Sequence, residues 1–446
     1  MKIYTTYKVK IKRYNNIFKA TVSIYRKAVD FFIEACLLEW DKISELSGSN
    51  AKMNFVEKMC HRTKKNPVVR YDFGEDFYKF PSYLRRAAIM EAIGKVSSYH
   101  SNMKNWEEEK KGKKPGHPKA GHIYPALYRK GMYVKTGPYT ASIKVFTRNT
   151  WDWLDVTLKK SDIDYIERHC KDRKMCVPTL RKRGHEWFLD FSFEEQVELS
   201  EIDIFHRILI SVDLGINNCC TCIAMAPDGT VLGRHFLKLP REKDSLEHAL
   251  NRIKKAQQHG AVKMPRLWAK ANGINDDIAV KTATFIIEIA DIYDADVIVF
   301  EHLDLDGRKK GSRKQRLHMW KARYVQQMVA DKAHRKGIRI STVNAWNTSR
   351  MAFDGSGRVE RGTYLQDGIE RHNYSICVFP GGKIYNCDLN ASYNIGARYF
   401  IREILKSLPE TVRLQLEAKV PEACKRSTCT LSTLIDLYAE LTAQLS

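Results

Sequence analysis

The sequence predicts a multidomain protein of α/β and α+β type, and three observations carry that prediction. The chain has 446 residues, more than one core usually serves. Its first 204 residues place a helical region between flanks that alternate apolar and polar side chains. From residue 207 onward, mostly apolar strand-like runs alternate with helical stretches, the pattern of a sheet covered by helices.

Residues 3–11 open as a strand, with Ile3, Val9 and Ile11 on one side and Lys2, Lys8 and Lys10 on the other. From 17 to 60 the period becomes helical, as in Ile33, Cys36, Leu37 and Trp40. A second helix begins near Pro81, where a proline fits the first turn. Its small polar face carries Ser97, Ser98, Ser101 and Asn102, flanked by Arg85, Arg86, Lys95 and Lys104. That face suits a phosphate backbone, and it equally suits plain solvent. The stretch 110–122, KKGKKPGHPKAGH, is a basic loop broken by Pro and Gly. Residues 132–194 read as strands, with RKRGH as a hairpin turn and Trp187, Leu189, Phe191 and Phe193 as one apolar face. Segments 1–14 and 131–204 are therefore expected to form a small β-barrel into which a helical domain, 15–130, is inserted.

RILISVDLGIN then gives a buried strand ending at Asp213, and Pro227-Asp228-Gly229 turns between two further strands. Helical sequence over 242–292 leads to DADVIVFEHLDL, a strand carrying Glu301 at its end. A basic helix over 317–336, striped by Met319, Val325, Met328 and Val329, precedes the strand IRISTVN. Residues 353–383 read as irregular and Gly-rich, before CDLNASYNIGARYF places Asp388 at a helix start, where a carboxylate is favoured. This β-β-β-α-β-α-β-α order is that of a ribonuclease H-like fold, expected over 205–346 and 384–405 with an insert at 347–383. The tail, 406–446, ends in an amphipathic helix with Leu431, Leu434, Ile435, Leu437, Tyr438 and Leu441. It is expected to dock on its own chain, with pairing to a second copy as the alternative.

Bulk composition narrows the function. At 43% hydrophobic and 11% aromatic residues, the chain is neither disordered nor fibrous. No apolar run reaches the ~18 residues of a membrane span, and the start lacks the apolar centre of a signal peptide. Eleven cysteines, an odd number without a regular framework, fit a reducing compartment. The expectation is a cytoplasmic protein that makes no membrane contact. A formal charge of +23 points to a polyanionic partner, because each Lys or Arg on a phosphate releases counterions. The charge is patchy: residues 1–130 hold 27 basic and 13 acidic side chains, residues 131–200 hold 12 and 11. The short stretch 308–340 holds 12 basic residues against Asp331 alone. Arg308, Lys309, Lys310, Arg313, Lys314 and Arg316 make up the first part of that run and are candidate nucleic-acid contacts.

Asp213, Glu301 and Asp388 stand 88 and 87 residues apart, each at a strand end or helix start beside the expected sheet. Phosphodiester hydrolysis needs an in-line water, a stabilised phosphoryl charge and a stabilised leaving oxygen. Two Mg²⁺ ions ~3.5–4 Å apart supply all three, and hard oxygen ligands are what Mg²⁺ requires. One such aspartate is usually a turn or cap residue; three in this order form a site.

SVDLGIN (211–217), VIVFEHLDL (297–305) and CDLNASYNIGARYF (387–400) resemble the three RuvC motifs of the TnpB nucleases and compact type V CRISPR effectors. The segment LHMWKARYVQQMVADKAHRKGIRISTVNAWNTSR resembles the same family between its second and third motifs. The likeness is specific over 207–400 and architectural before it. It implies a wedge-like barrel (1–14, 131–204), a recognition domain (15–130), a RuvC domain (205–346, 384–405), a nucleic-acid-binding insert (347–383) and a helical tail (406–446). It also implies an RNA-guided DNA endonuclease, whose guide RNA pairs with target double-stranded DNA beside a short flanking motif. Asp213, Glu301 and Asp388 would then be the catalytic Mg²⁺ ligands, with Mn²⁺ as a substitute, supported by Asn217 and Asn390. One or two copies on the RNA are both compatible with the sequence. An RNA-guided repressor without cleavage and a guide-independent metal-dependent nuclease are the alternatives. The cell would be prokaryotic, the protein nucleoid-associated when DNA-bound.

The chain departs from the family at its zinc site. The two expected CxxC pairs fall on NTSRMAFDGSG, which has no cysteine, and ICVFPGG, where Cys377 stands alone. Four N or S ligands are needed, so no zinc is expected; His372, Cys377 and Cys387 are a degenerate candidate at best. Cys219, Cys220 and Cys222 read as small buried groups. Packing by Phe353, Tyr364, Tyr374 and Phe379 would then hold the insert.

Overall fold

The computed structural model describes residues 1–13, 16–109, 113–128, 131–215, 218–303, 320–366, 369–425 and 427–445. The chain divides into two compact units, one of residues 2–195 and one of Met1 with 196–446.

In the first unit, strand β1 (Lys2–Lys10) is followed by helices α1 (Ile17–Leu38), α2 (Trp40–Glu45), α3 (Ser49–Cys60), α4 (Phe73–Asp76) and α5 (Ser82–Glu109). Strands β2 (Tyr133–Gly137), β3 (Thr140–Thr147) and β4 (Thr150–Thr157) form an antiparallel meander. Helix α6 (Lys160–His169) then precedes β5 (Lys174–Met175), β6 (Thr179–Arg183) and β7 (Glu186–Gln196). Strand β7 pairs with β1, β5 and β6, and a bridge between Ile11 and Leu158 joins this sheet to the meander. Two parts of the sequence reading change here. Helix α6 interrupts the region read as continuous β structure; with ten residues it buries only Ile163 and Ile166 as an apolar stripe. Strand β7 is buried on both faces, because Phe188 and Asp190 are as enclosed as Trp187, Leu189, Phe191 and Phe193. Asp190 tolerates burial through a two-pronged ion pair with Arg183 at 2.6 and 2.8 Å.

Among the described residues, the second unit is built on a five-stranded sheet. Strands β8 (Leu209–Asp213), β9 (Cys220–Met225) and β10 (Val231–Leu237) pair antiparallel; β11 (Val297–His302) and β12 (Arg339–Asn344) add in parallel, giving the order β10-β9-β8-β11-β12. Helices α7 (Pro240–Gln258) and α8 (Pro265–Ile292) each start on a proline, whose missing N–H costs nothing at that position. Next come α9 (Ala322–Arg335), the hairpin β13 (Glu360–Gln366) and β14 (Ile369–Val378), the short β15 (Ile384–Asn386), and helices α10 (Cys387–Ser407), α11 (Glu410–Lys419) and α12 (Leu431–Leu445). Alternation in the strands sends Leu209, Val297 and Val299 to a core shared with α10 and α12. Ile210, Val212, Ile298 and Phe300 go to the opposite core, under α8 and α9. A Cβ at Gly396 would lie 3.1 Å from Met225 Sδ and 3.3 Å from Leu209 Cδ1, so a glycine lets α10 lie close on the sheet.

The segment read as irregular, 353–383, is thus mostly a β-hairpin paired with β15. Its core is Ala352, Val359, Cys377, Phe379 and Cys387, with Phe353 and Tyr385 packed against it. Phe353 and Phe379 act as expected, but Tyr374 is exposed and Tyr364 only half-buried. The last helix docks on its own chain: Leu431, Leu434, Leu437 and Leu441 are buried against α10. No described helix is long and apolar enough to cross a membrane. Cys219, Cys220 and Cys222 are buried, as expected.

Candidate active site and nucleic-acid face

Parallel pairing matches Val212 with Phe300, so the next residues, Asp213 and Glu301, leave the sheet side by side. Two-residue alternation places both on the face covered by α10. That helix begins beside them: the Asn386 side chain caps it, accepting from the N–H groups of Asp388 and Leu389 at 3.0 Å, and Asp388 lies in the first turn. The three carboxylates line one cavity of about 670 Å³, together with Thr348, Arg350, Arg358 and Arg361.

Each carboxylate has a distinct environment. Burial, then the charges of Glu301 and Asp388, push the Asp213 carboxyl well above its ordinary value. Burial also raises Glu301, opposed by the Thr348 hydroxyl, which donates to Oε1, and by Arg398 and Arg361. Asn218 Nδ2 donates to Asp388 Oδ2 at 2.5 Å. Gly215 makes that contact accessible: a Cβ there would sit 2.8 Å from the Asn218 carbonyl oxygen. The donor set consists of hard carboxylate oxygens whose mutual repulsion a divalent cation would relieve, so it fits Mg²⁺ or Mn²⁺. Among the described residues, no three His, Cys, Asp or Glu side chains stand close enough together to hold a metal ion.

Asn390 does not reach the carboxylates. It accepts from Phe353 N–H and donates to the Met351 carbonyl, both at 2.8 Å, and so anchors the segment carrying Thr348. Asn217 and the basic run Arg308, Lys309, Lys310, Arg313, Lys314 and Arg316, with Met319, lie outside the described residues. Cys387 lines the cavity and Cys377 packs against it. Cys377 Sγ donates to the Tyr385 carbonyl at 3.5 Å, and the neighbouring Cys377 thiol and Arg361 hold the Cys387 thiol below its ordinary value. His372 is elsewhere, exposed and bonded to Thr363, so the degenerate trio does not assemble. Sequence reasoning missed Asn218, Thr348 and Arg361. Asn218 follows the first recognised motif directly and Thr348 lies within the segment likened to the family; Arg361 lies in neither.

In the first unit, the small face of α5 borders a groove of about 1120 Å³ with Lys95, Ser98, Asn102, His122, Tyr124 and Arg181 on its walls. The guanidinium groups of Arg26 and Arg181 lie 5.0 and 5.5 Å from the Tyr124 ring centre. Ser98 donates to the Gly94 carbonyl, and Ser101 and Lys104 are exposed beyond the groove lining. Arg85 departs from the sequence reading, whereas Arg86 remains about half exposed. Both bind Glu57, and Arg85 is only 8% exposed, so its charge is spent inside the fold.

Fold and site together define a multidomain mixed α/β protein with a three-carboxylate cleft. The model of the Aq_aa04 family matches residues 5–147, and that of the Cas12f1-like TNB domain matches 323–395. The chain is 34% identical over 123 residues to "Uncharacterized protein aq_aa04" of Aquifex aeolicus (strain VF5), spanning 25% of this chain and 68% of that one. It is 27% identical over 235 residues to "TnpB-like protein aq_aa05" of the same organism, spanning 48% and 74%. A Cas12f1 solved by cryo-EM with sgRNA and target DNA shares its fold at a TM-score of 0.52 and 14% identity, over 85% of this chain and 81% of that one. The chain belongs to the Aq_aa04 family and is a TnpB-like protein of the compact type V group, as its three motifs led one to expect.

Proposed function

We propose that the protein is an RNA-guided DNA endonuclease whose single active site is the Asp213–Glu301–Asp388 cleft. The observation that carries this reading is the convergence of three carboxylates, from two strand ends and one helix start, on one cavity. The 205–346 and 384–405 segments are read as a RuvC, ribonuclease H-like domain, on the β10-β9-β8-β11-β12 strand order. Residues 347–383 are its insert, 15–130 the recognition domain, 1–14 with 131–204 the wedge, and 406–446 a supporting tail. The setting is cytoplasmic.

Two divalent cations held by Asp213, Glu301 and Asp388 would supply Lewis-acid polarisation of the phosphodiester and an activated water. The chain's own residues prepare that site. Asp213 feels the charges of both other carboxylates and would be one of the metal ligands. Thr348 and Asn218 fix the free oxygens of Glu301 and Asp388, so the outer groups arrive oriented. Arg350, Arg358 and Arg361 line the same cavity and supply positive charge, where a strand's phosphates would lie. Base pairing with a guide RNA would choose the target, and the α5 groove, with its Tyr124 stack and Lys95, is read as a nucleic-acid contact.

The test is to co-express the gene with its native flanking DNA and sequence the RNA that purifies with the protein. A discrete RNA with a constant structured part and a variable end is expected. Guided cleavage with it should stop in EDTA and in Asp213→Ala, while guided DNA binding persists. No RNA above background, or full cutting by Asp213→Ala, sinks the reading.

A further inference from the structure

We infer that the C-terminal segment 427–445 is a positioning element of the carboxylate site, acting through Asn394 and Arg398 of α10; this rests on the reading of the cleft just given. Asn390, Asn394 and Arg398 recur every four residues along α10, so they form one polar row on a helix that is otherwise packed in apolar core. On one side the row holds the backbone of 344–353. Arg398 Nη1 donates to the carbonyls of Asn344 and Trp346, both at 2.8 Å. Asn394 Nδ2 donates to those of Thr348 and Met351 at 2.9 and 2.8 Å. On the other side the same two residues hold the C-terminal segment. Arg398 donates to Ser427 and Cys429 carbonyls at 2.8 and 3.2 Å, and Asn394 Oδ1 accepts from Leu431 N–H at 3.3 Å. Ser432 N–H closes the ring directly on the Phe353 carbonyl at 2.9 Å.

The segment gripped on the first side carries Thr348, the donor to Glu301. Arg398 has one guanidinium to divide among four carbonyls, and its placement is fixed only while both sides are present. Losing the C-terminal partners frees it to rotate, and Thr348 then loses its fixed distance to Glu301. The tail thereby becomes a remote handle on the site: whatever loosens or grips 427–445 changes how Glu301 is presented.

Two variants test this in the full chain by hydrogen exchange and by Mn²⁺ titration. Leu434→Ala loosens the tail from its buried apolar side and touches neither the polar row nor the cleft. Arg398→Lys keeps the charge and loses the fork. Both should speed exchange in 344–351 about tenfold while β8 and β11 keep their protection. Both should weaken Mn²⁺ binding about tenfold, the usual scale for groups behind a metal ligand. Leu434→Ala that loosens 427–445 yet leaves 344–351 protected overturns the inference. So does unchanged Mn²⁺ affinity when 344–351 has loosened. The exchange arm needs no metal, so it decides the coupling even if the wild-type chain binds no Mn²⁺, a result that would sink the reading of the cleft instead. Should Arg398→Lys fail to fold, Leu434→Ala alone carries the test.

Discussion

Asp213 destabilises the metal-free fold for the same reason that it suits a metal site. Its carboxyl is raised above the ordinary 3.8, so the folded state holds the proton more tightly than the unfolded one. Stability therefore falls as pH rises from about that value through the raised one, and the full cost is present above it. Asp213→Asn should raise Tm in EDTA at pH 7, with the gain vanishing under strongly acidic conditions. A Tm unchanged or lowered at pH 7 would show that burial and the neighbouring charges do not raise the Asp213 carboxyl. Arg361 is the second informative residue. It lines the cleft from β13 and lowers the pKa of Asp213, Glu301 and Cys387 alike. Arg361→Ala should cut the cleavage rate about a hundredfold, with guided binding kept; an unchanged rate would place the phosphate elsewhere. The carboxylates were legible because each ends an apolar strand or opens a helix within a motif. Their partners were not, since Thr348 is 47 residues from Glu301 and Asn218 is 170 from Asp388 in sequence.

At the scale of elements, strands buried on both faces and long helices announced themselves through unbroken or 3.6-period apolar patterns. The β13–β14 hairpin did not. Its residues are mostly exposed, so ERGTYLQ and IERHNYSICV show no apolar face to read. What fixes the hairpin is its base, where Phe353, Phe379, Tyr385 and Tyr393 pack with ring centres 5.0 to 6.4 Å apart. Phe379 is buried in that cluster against Phe353 and Tyr385, and Phe379→Ala should cost about 3 kcal/mol or more. Calorimetry on the variant checks this; a loss below 1 kcal/mol would mean that the base is held by something else. A zinc-selective chelator should leave the wild-type Tm where it is, because aromatic packing and the Cys377–Cys387 contact hold the base together. Cooperative unfolding with that chelator would contradict this account.

For the whole molecule, the +23 charge sets an expectation that individual contacts do not. Nucleic-acid affinity should fall steeply and linearly in log–log form with salt, by counterion release. Glu57 shows why the slope cannot be read from a count of basic residues: its one negative charge is shared between Arg85, buried in the fold, and the half-exposed Arg86. Reversing Lys95 and Arg181 to Glu should flatten the salt slope and weaken binding, whereas Arg85→Ala should mainly lower Tm. Equal slopes for wild type and the Lys95/Arg181 variant would remove the α5 groove from the interface. The basic excess over 1–130, and again over 308–340, was visible in the charge pattern. Which basic residues are free was not, because ion pairs join positions 28 and 29 residues apart.

Gly396, pressed within contact of Met225 and Leu209, and Gly215, pressed onto the Asn218 carbonyl, bear on how a saturation-mutagenesis map of this gene would look. Both glycines sit inside the sequence motifs that carry the carboxylates, and a side chain at either needs a neighbour to move: the Asn218 backbone at Gly215, the Met225 and Leu209 side chains at Gly396. A screen scored only on cutting would therefore paint them in the same colour as Asp213 and Asp388. Scoring abundance in parallel would split the group, leaving the acids as positions where the protein accumulates normally but is silent, and Gly396 as one where it is degraded.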